Sequence, residues 1–119
     1  MKKNKNYKVL CFDIDNTICV SKTNNYKESK PIFKNIEFIN KLYTKDYYVK
    51  IFTARFMGRC NENIHKAKKR GLLLTLKQLK RWKISHHKLI MGKPSYDLMI
   101  DDKSLGYKKN WASIIKKNI

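Results

Sequence analysis

The chain has 119 residues, a length that suits a single domain over residues 1–119. No apolar run approaches the roughly 18 residues of a membrane span, and the N-terminus lacks the long apolar region and cleavage site of a secretory signal. Lysine and arginine number 28 against 9 acids, giving a formal charge of +19. Such a field attracts nucleic acid, acidic membrane surfaces or phosphorylated small molecules without choosing among them. A composition rich in Lys, Asn and Ile throughout gives the same charge with no function attached. The three cysteines form no Cys-x-x-Cys pair, so a reduced, cytoplasmic setting is expected.

Residues 7–12 are a short apolar run and read as a buried strand. Ile32, Ile36, Ile39 and Tyr43 then recur at spacings of four, three and four, the face of a helix whose first turn would hold Pro31. Residues 47–52 form a second strand. A polar stretch follows from Arg55 to Arg70, where Asn61 suits a helix cap and Gly71 a helix end. Thr75-Leu76-Lys77-Gln78 has the form of a capping box for a further helix to about Trp82, although one continuous helix through Gly71 is an open alternative. Residues 88–91 and 98–100 are the third and fourth strand candidates, and Trp111, Ile114 and Ile115 stand at helical spacing. Strands alternating with helices predict an α/β fold: a three-layer, Rossmann-like, mainly parallel sheet flanked by helices.

Consecutive parallel strands line up their carboxyl ends, where open α/β sheets place ligands. After residue 12 comes Asp13-Ile14-Asp15-Asn16-Thr17; after residue 52, Thr53-Ala54-Arg55; after residue 91, Gly92-Lys93-Pro94; after residue 100, Asp101-Asp102. Four of the nine acids therefore sit in two tight pairs, each directly after an apolar run. Carboxylates gathered at one point repel and call for a cation. Oxygen ligands without His or Cys favour Mg²⁺. Thr53 and Lys93 could hold phosphate oxygens as a hydrogen-bond donor and a point charge.

This order of motifs, from about Val9 to Lys103, resembles the four motifs of the haloacid dehalogenase superfamily. Ile51-Phe52-Thr53-Ala54-Arg55, Gln78-Leu79-Lys80-Arg81-Trp82 and the stretch from Gly92-Lys93-Pro94 to Asp101-Asp102-Lys103 look more narrowly like small bacterial phosphatases of capsule and surface-polysaccharide biosynthesis. The resemblance implies a haloacid dehalogenase-like core and a magnesium-dependent phosphatase. Asp13 would be the nucleophile that forms an aspartyl-phosphate, and Asp15 the general acid and base. Mg²⁺ would be held by the Asp13 carboxylate, the Asp15 backbone carbonyl and Asp101, with Asp102 close by or acting through water. Thr53 and Lys93 would hold the phosphoryl group, and Arg55 is a candidate for substrate contact. Asn16 stands where many relatives have Gly; Asn tolerates left-handed backbone angles, so the turn can survive. The segments between motifs are too short for a cap domain, so the site should be open or closed by a second subunit.

Other chemistries fit poorly. A phosphate-binding glycine loop ending at Gly92-Lys93 would need Gly at 87 and a hydroxyl residue at 94, where the chain has His87 and Pro94. Three functions remain: a phosphatase acting on a phosphorylated sugar or similar metabolite, a nucleic-acid end phosphatase or nucleotidase using the basic surface, and a non-catalytic basic binding module on the same fold. Whether a fifth strand follows Lys103 is left open by the pattern.

Overall fold

The structure is a computed structural model that describes residues 8–22, 25–117 and 119. Its centre is a three-stranded parallel sheet in the order β1-β4-β5. Strand β1 (Val9–Phe12) pairs with β4 (Tyr48–Thr53) in the register Val9 to Tyr48 through Phe12 to Ile51. Strand β5 (Lys88–Met91) pairs with the other edge of β4, with Thr53 opposite Met91. In β4 the inward positions Val49, Ile51 and Thr53 alternate with more exposed ones, the period of two expected of a strand with one buried face. Tyr7, the first residue of the expected first strand, lies outside the described residues.

The connections explain why the three strands run the same way. Helix α1 (Phe33–Thr44) joins β1 to β4 and packs against β4, and α2 (Ile64–Arg81) joins β4 to β5 and packs against β5. In α1 the buried apolar face is Ile36, Ile39 and Leu42. Tyr43, expected on that face, is instead exposed and stacks on the His87 ring, 4.4 Å between centroids. Tyr48 stacks on the same ring at 4.5 Å, and His87 exchanges hydrogen bonds with Val49, tying the starts of β4 and β5 together. The short helix α3 (Trp111–Lys116) closes the core: Trp111 lies 5.3 Å from Phe12 and 6.2 Å from Phe38.

Several sequence expectations need correction. Pro31 does not sit in the first turn of α1. It belongs to β3 (Lys30–Pro31), which pairs with β2 (Cys19–Val20) as a small antiparallel hairpin at the base of a flap. Ile32 is the helix cap, and its amide bonds to Ile18. Asn63, not Asn61, caps α2, accepting the Lys66 amide at 3.1 Å; Asn61 and Glu62 take left-handed angles in the preceding turn. Of the two alternatives at Gly71, the continuous helix is the one observed: α2 runs unbroken through Gly71 and Thr75–Gln78, so neither the helix end nor the capping box is used. The glycine is there for space: a Cβ at position 71 would lie 2.4 Å from the Phe56 ring. Residues 98–100 form no strand. Leu98 and Ile100 are 78% and 91% exposed, in a stretch from Gly92 to Asn110 without regular structure. With Leu98, Met99 and Ile100 all exposed, the run buries no apolar face that would hold it on a sheet edge. No strand follows Lys103 among the described residues.

Candidate functional site

The carboxyl ends of β1, β4 and β5 open into one cleft of about 670 Å³, lined by Asp13, Asp15, Arg55, Phe56, Lys93 and Tyr96 among others. The loop after β1 supplies both carboxylates. It turns tightly because the amides of Thr17 and Ile18 bond back to the Ile14 carbonyl, and because Asn16 accepts a left-handed φ of 62°. Ile14 and Ile18 are fully buried, which pins the loop to the core and sends Asp13 and Asp15 outward on either side of Ile14.

Asp13 stands at the end of β1 with its carboxylate 3.7 Å from the Lys93 ammonium. Burial pushes its carboxyl above the usual range, against the opposing pull of the Lys93 charge and the Ile14 amide. For Lys93, burial works to lower the ammonium's pKa, but its hydrogen bond to Tyr96 and the charge of Asp13 outweigh it and leave the value raised. The Lys93 amide bonds to the Thr53 carbonyl at 3.1 Å, so the β5 loop is fixed to the end of β4.

Asp15 is held far more tightly. Arg55 Nε donates to both of its oxygens at 3.2 and 3.0 Å, and Nη2 donates to Oδ1 at 3.0 Å. Ser21 Oγ donates to Oδ1 at 2.6 Å, and the Cys19 thiol lies 3.7 Å away. Burial pushes that thiol's pKa up, so it serves as a donor. Ser21 and Ser29 share a hydroxyl–hydroxyl bond of 2.6 Å across the base of the flap. The flap is thus stitched to the second carboxylate.

The remaining expected site residues are placed differently. Thr53 is fully buried and is not among the residues lining the cleft; its hydroxyl accepts the Arg55 amide at 3.1 Å. Arg55 is 1% exposed, with its guanidinium turned inward to Asp15, Thr75 and Gln78. Asp101 and Asp102 are exposed and do not line the cleft. The Asp101 carboxylate instead caps its own turn, 3.3 Å from Ser104 Oγ, while Tyr107 reaches the Asn16 carbonyl at 2.8 Å. The donor set implied for Mg²⁺ is therefore not assembled in this arrangement. Two of its four acids reach the cleft, each beside an internal cation, and no group of three metal-ligating side chains occurs among the described residues.

Sequence reasoning missed Ser21, Tyr26, Thr75 and Gln78. The signal for the last two was available as two polar residues one turn apart on the buried face of an amphipathic helix. A buried polar side chain requires a partner.

Comparison with known proteins adds the fold alone. The chain superposes on the crystal structure of a structural target from Vibrio cholerae. The TM-score is 0.80 at 23% identity, covering 89% of this chain and 87% of that one. The arrangement of strands and helices is therefore one that nature uses elsewhere. No family model and no curated protein matches the sequence.

Proposed function

We propose that the chain is a phosphoric monoester hydrolase of the haloacid dehalogenase type. The observation that carries this reading is the pairing in one open cleft of two carboxylates from the tight turn after β1 with a lysine from the loop after β5. Asp13 attacks phosphorus and the leaving oxygen departs with a proton from Asp15. The carboxylate of Asp15 then takes a proton from water as that water attacks the aspartyl-phosphate, releasing phosphate and restoring Asp13. Lys93 neutralises charge on Asp13 and on the transferring group. Catalysis of this kind rests on position and charge rather than on a further covalent partner.

Mg²⁺ belongs to this reading as a requirement, not as a described step. A hard divalent cation at Asp13 needs oxygen donors beyond the two cleft carboxylates, and Asp101 and Asp102 are the acids the motif order offers. The resemblance favours a phosphorylated sugar or related metabolite of polysaccharide biosynthesis, and the three free cysteines suit a reduced, cytoplasmic setting. The open cleft suits a small substrate, or closure by a second copy of the chain. No helix among the described residues is long and apolar enough to cross a membrane.

A second reading has an observation of its own. Along the 18 residues of α2, Lys66, Lys69, Arg70, Lys77, Lys80 and Arg81 are all exposed, and the helix carries no acid. This basic stripe, about 23 Å long from Lys66 to Arg81, starts near the cleft, where Arg70 and Arg59 lie over the Phe56 ring. It would suit a phosphorylated nucleic-acid end. One phosphatase screen separates the readings: sugar phosphates, nucleotides, phosphorylated oligonucleotides and an aryl phosphate, with wild type, Asp13→Asn and Asp15→Asn. Turnover by wild type and near-complete loss in both variants is expected. Absence of phosphate release from every substrate at high protein concentration would leave the non-catalytic binding module.

A further inference from the structure

Arg55 accounts for all of its hydrogen-bonding capacity inside the protein. A guanidinium has five N–H donors in a rigid plane. The Nε donor goes to Asp15, the two Nη1 donors face Gln78 Oε1 and Thr75 Oγ1, and the two Nη2 donors face Asp15 Oδ1 and Cys19 Sγ. Its face is covered as well, since the Tyr26 ring lies 4.8 Å from the guanidinium carbon. No donor is left to point at a phosphate. Gln78 in turn donates its side-chain amide to the Tyr26 carbonyl on the flap. One buried cation therefore joins the loop after β1, the middle of α2 and the flap.

We infer that Arg55 is a positioning residue: it fixes the direction of the Asp15 carboxylate and does not bind the substrate phosphate. The inference rests on the phosphatase reading and deepens it. Geometry explains the choice of arginine. A carboxylate held by a single point charge can swing about its Cβ–Cγ bond, whereas one facing Nε and Nη2 of a fixed plane cannot. The plane is itself fixed, because Nη1 is anchored on α2 by two side chains and the ring of Tyr26 closes one side. Asp15 must offer a proton to a leaving oxygen and later accept one from water, so its aim governs kcat. Binding of the ground-state phosphate falls to groups with free donors, Lys93 foremost.

The test is Arg55→Lys in wild-type and Asp15→Asn backgrounds, assayed with an aryl phosphate and Mg²⁺, with thermal unfolding of all four proteins. The charge is kept and the fork is lost. In the wild-type background kcat should fall about 10- to 100-fold with KM changed less than about twofold. In the Asp15→Asn background the same change should lower the residual turnover less than about threefold, because the group that Arg55 directs is already gone. If Arg55→Lys does not fold, Gln78→Met removes one anchor at similar volume; it should lower kcat several-fold, again only when Asp15 is present. A KM raised tenfold or more with kcat retained would mean that Arg55 holds the phosphate, and would overturn the inference. Equal losses of kcat in both backgrounds would mean a merely structural role, and would overturn it too. A wild type without turnover would end the phosphatase reading and this inference together, an outcome distinct from both.

Discussion

Replacing Gly71 by alanine sets two known effects against each other, and the packing decides the sign. In the middle of α2 the change should stabilise the helix by about 1 kcal/mol, because alanine loses less backbone freedom than glycine on folding. The added methyl group, however, would lie 2.4 and 2.8 Å from two carbons of the Phe56 ring and 3.2 Å from the end of Met91. Met91 can yield, but the ring cannot. Phe56 is buried, holds a left-handed φ of 66°, and carries Tyr26 edge-on at 5.1 Å. Overpacking of this kind costs about 1–3 kcal/mol. The net effect is destabilisation by up to about 2 kcal/mol, a fall in Tm of up to roughly 8 °C for a chain of this size. Because Phe56 also lines the cleft, KM should rise with the fall in Tm. Differential scanning calorimetry with steady-state kinetics checks both. A rise in Tm of about 4 °C with KM unchanged would show that the ring does not rest on Gly71.

Further outcomes follow from the charges of the candidate site. Burial raises the Asp13 carboxyl above 3.8, so between that value and its folded one the folded chain holds the extra proton, and stability falls as pH rises through this window. Asp13→Asn should therefore raise Tm at neutral pH, and the gain over wild type should vanish well below pH 3.8, where both side chains are neutral. Lys93→Met removes the cation that lowers Asp13, so the acid limb of kcat/KM should move to higher pH; an unmoved limb would detach that limb from Asp13. The raised Lys93 contributes stability that is complete below 10.5 and lost as pH rises through its folded value, a loss that the same variant should not show in alkaline unfolding curves. Chelation with EDTA should abolish turnover and added Mg²⁺ should restore it. Asp101→Asn should raise the Mg²⁺ concentration for half-maximal rate at least tenfold, and an unchanged requirement would separate Asp101 from the metal.

What the sequence made legible were the elements with strong local signals. The runs ending at Phe12, Phe52 and Met91 are short, apolar and bounded by polar turns, and each falls on a strand of the parallel sheet, the second shifted by one residue to Tyr48–Thr53. Alternation with helices then brings Asp13, Asp15 and Lys93 to one edge by topology alone. The failures share a cause, which is that the deciding partner is distant in sequence. Gly71 reads as a helix end until Phe56 is seen against it. Thr75 and Gln78 read as a cap until Arg55, 20 and 23 residues earlier in the chain, claims both side chains. Arg55 itself was visible as a cation after a strand, but no pattern says whether such a side chain points out to a substrate or back into the core. Leu98, Met99 and Ile100 show the opposite limit: three apolar residues satisfy a strand pattern, yet the segment is exposed because nothing local supplies a pairing edge.

The most direct measurement is chemical trapping of the covalent intermediate. Wild-type protein turning over an aryl phosphate is quenched, reduced with borohydride and mapped by mass spectrometry, which converts an aspartyl-phosphate to homoserine. The account predicts homoserine at position 13 and none in Asp13→Asn. Sustained turnover with position 13 unmodified, or full activity in Asp13→Asn, would contradict it.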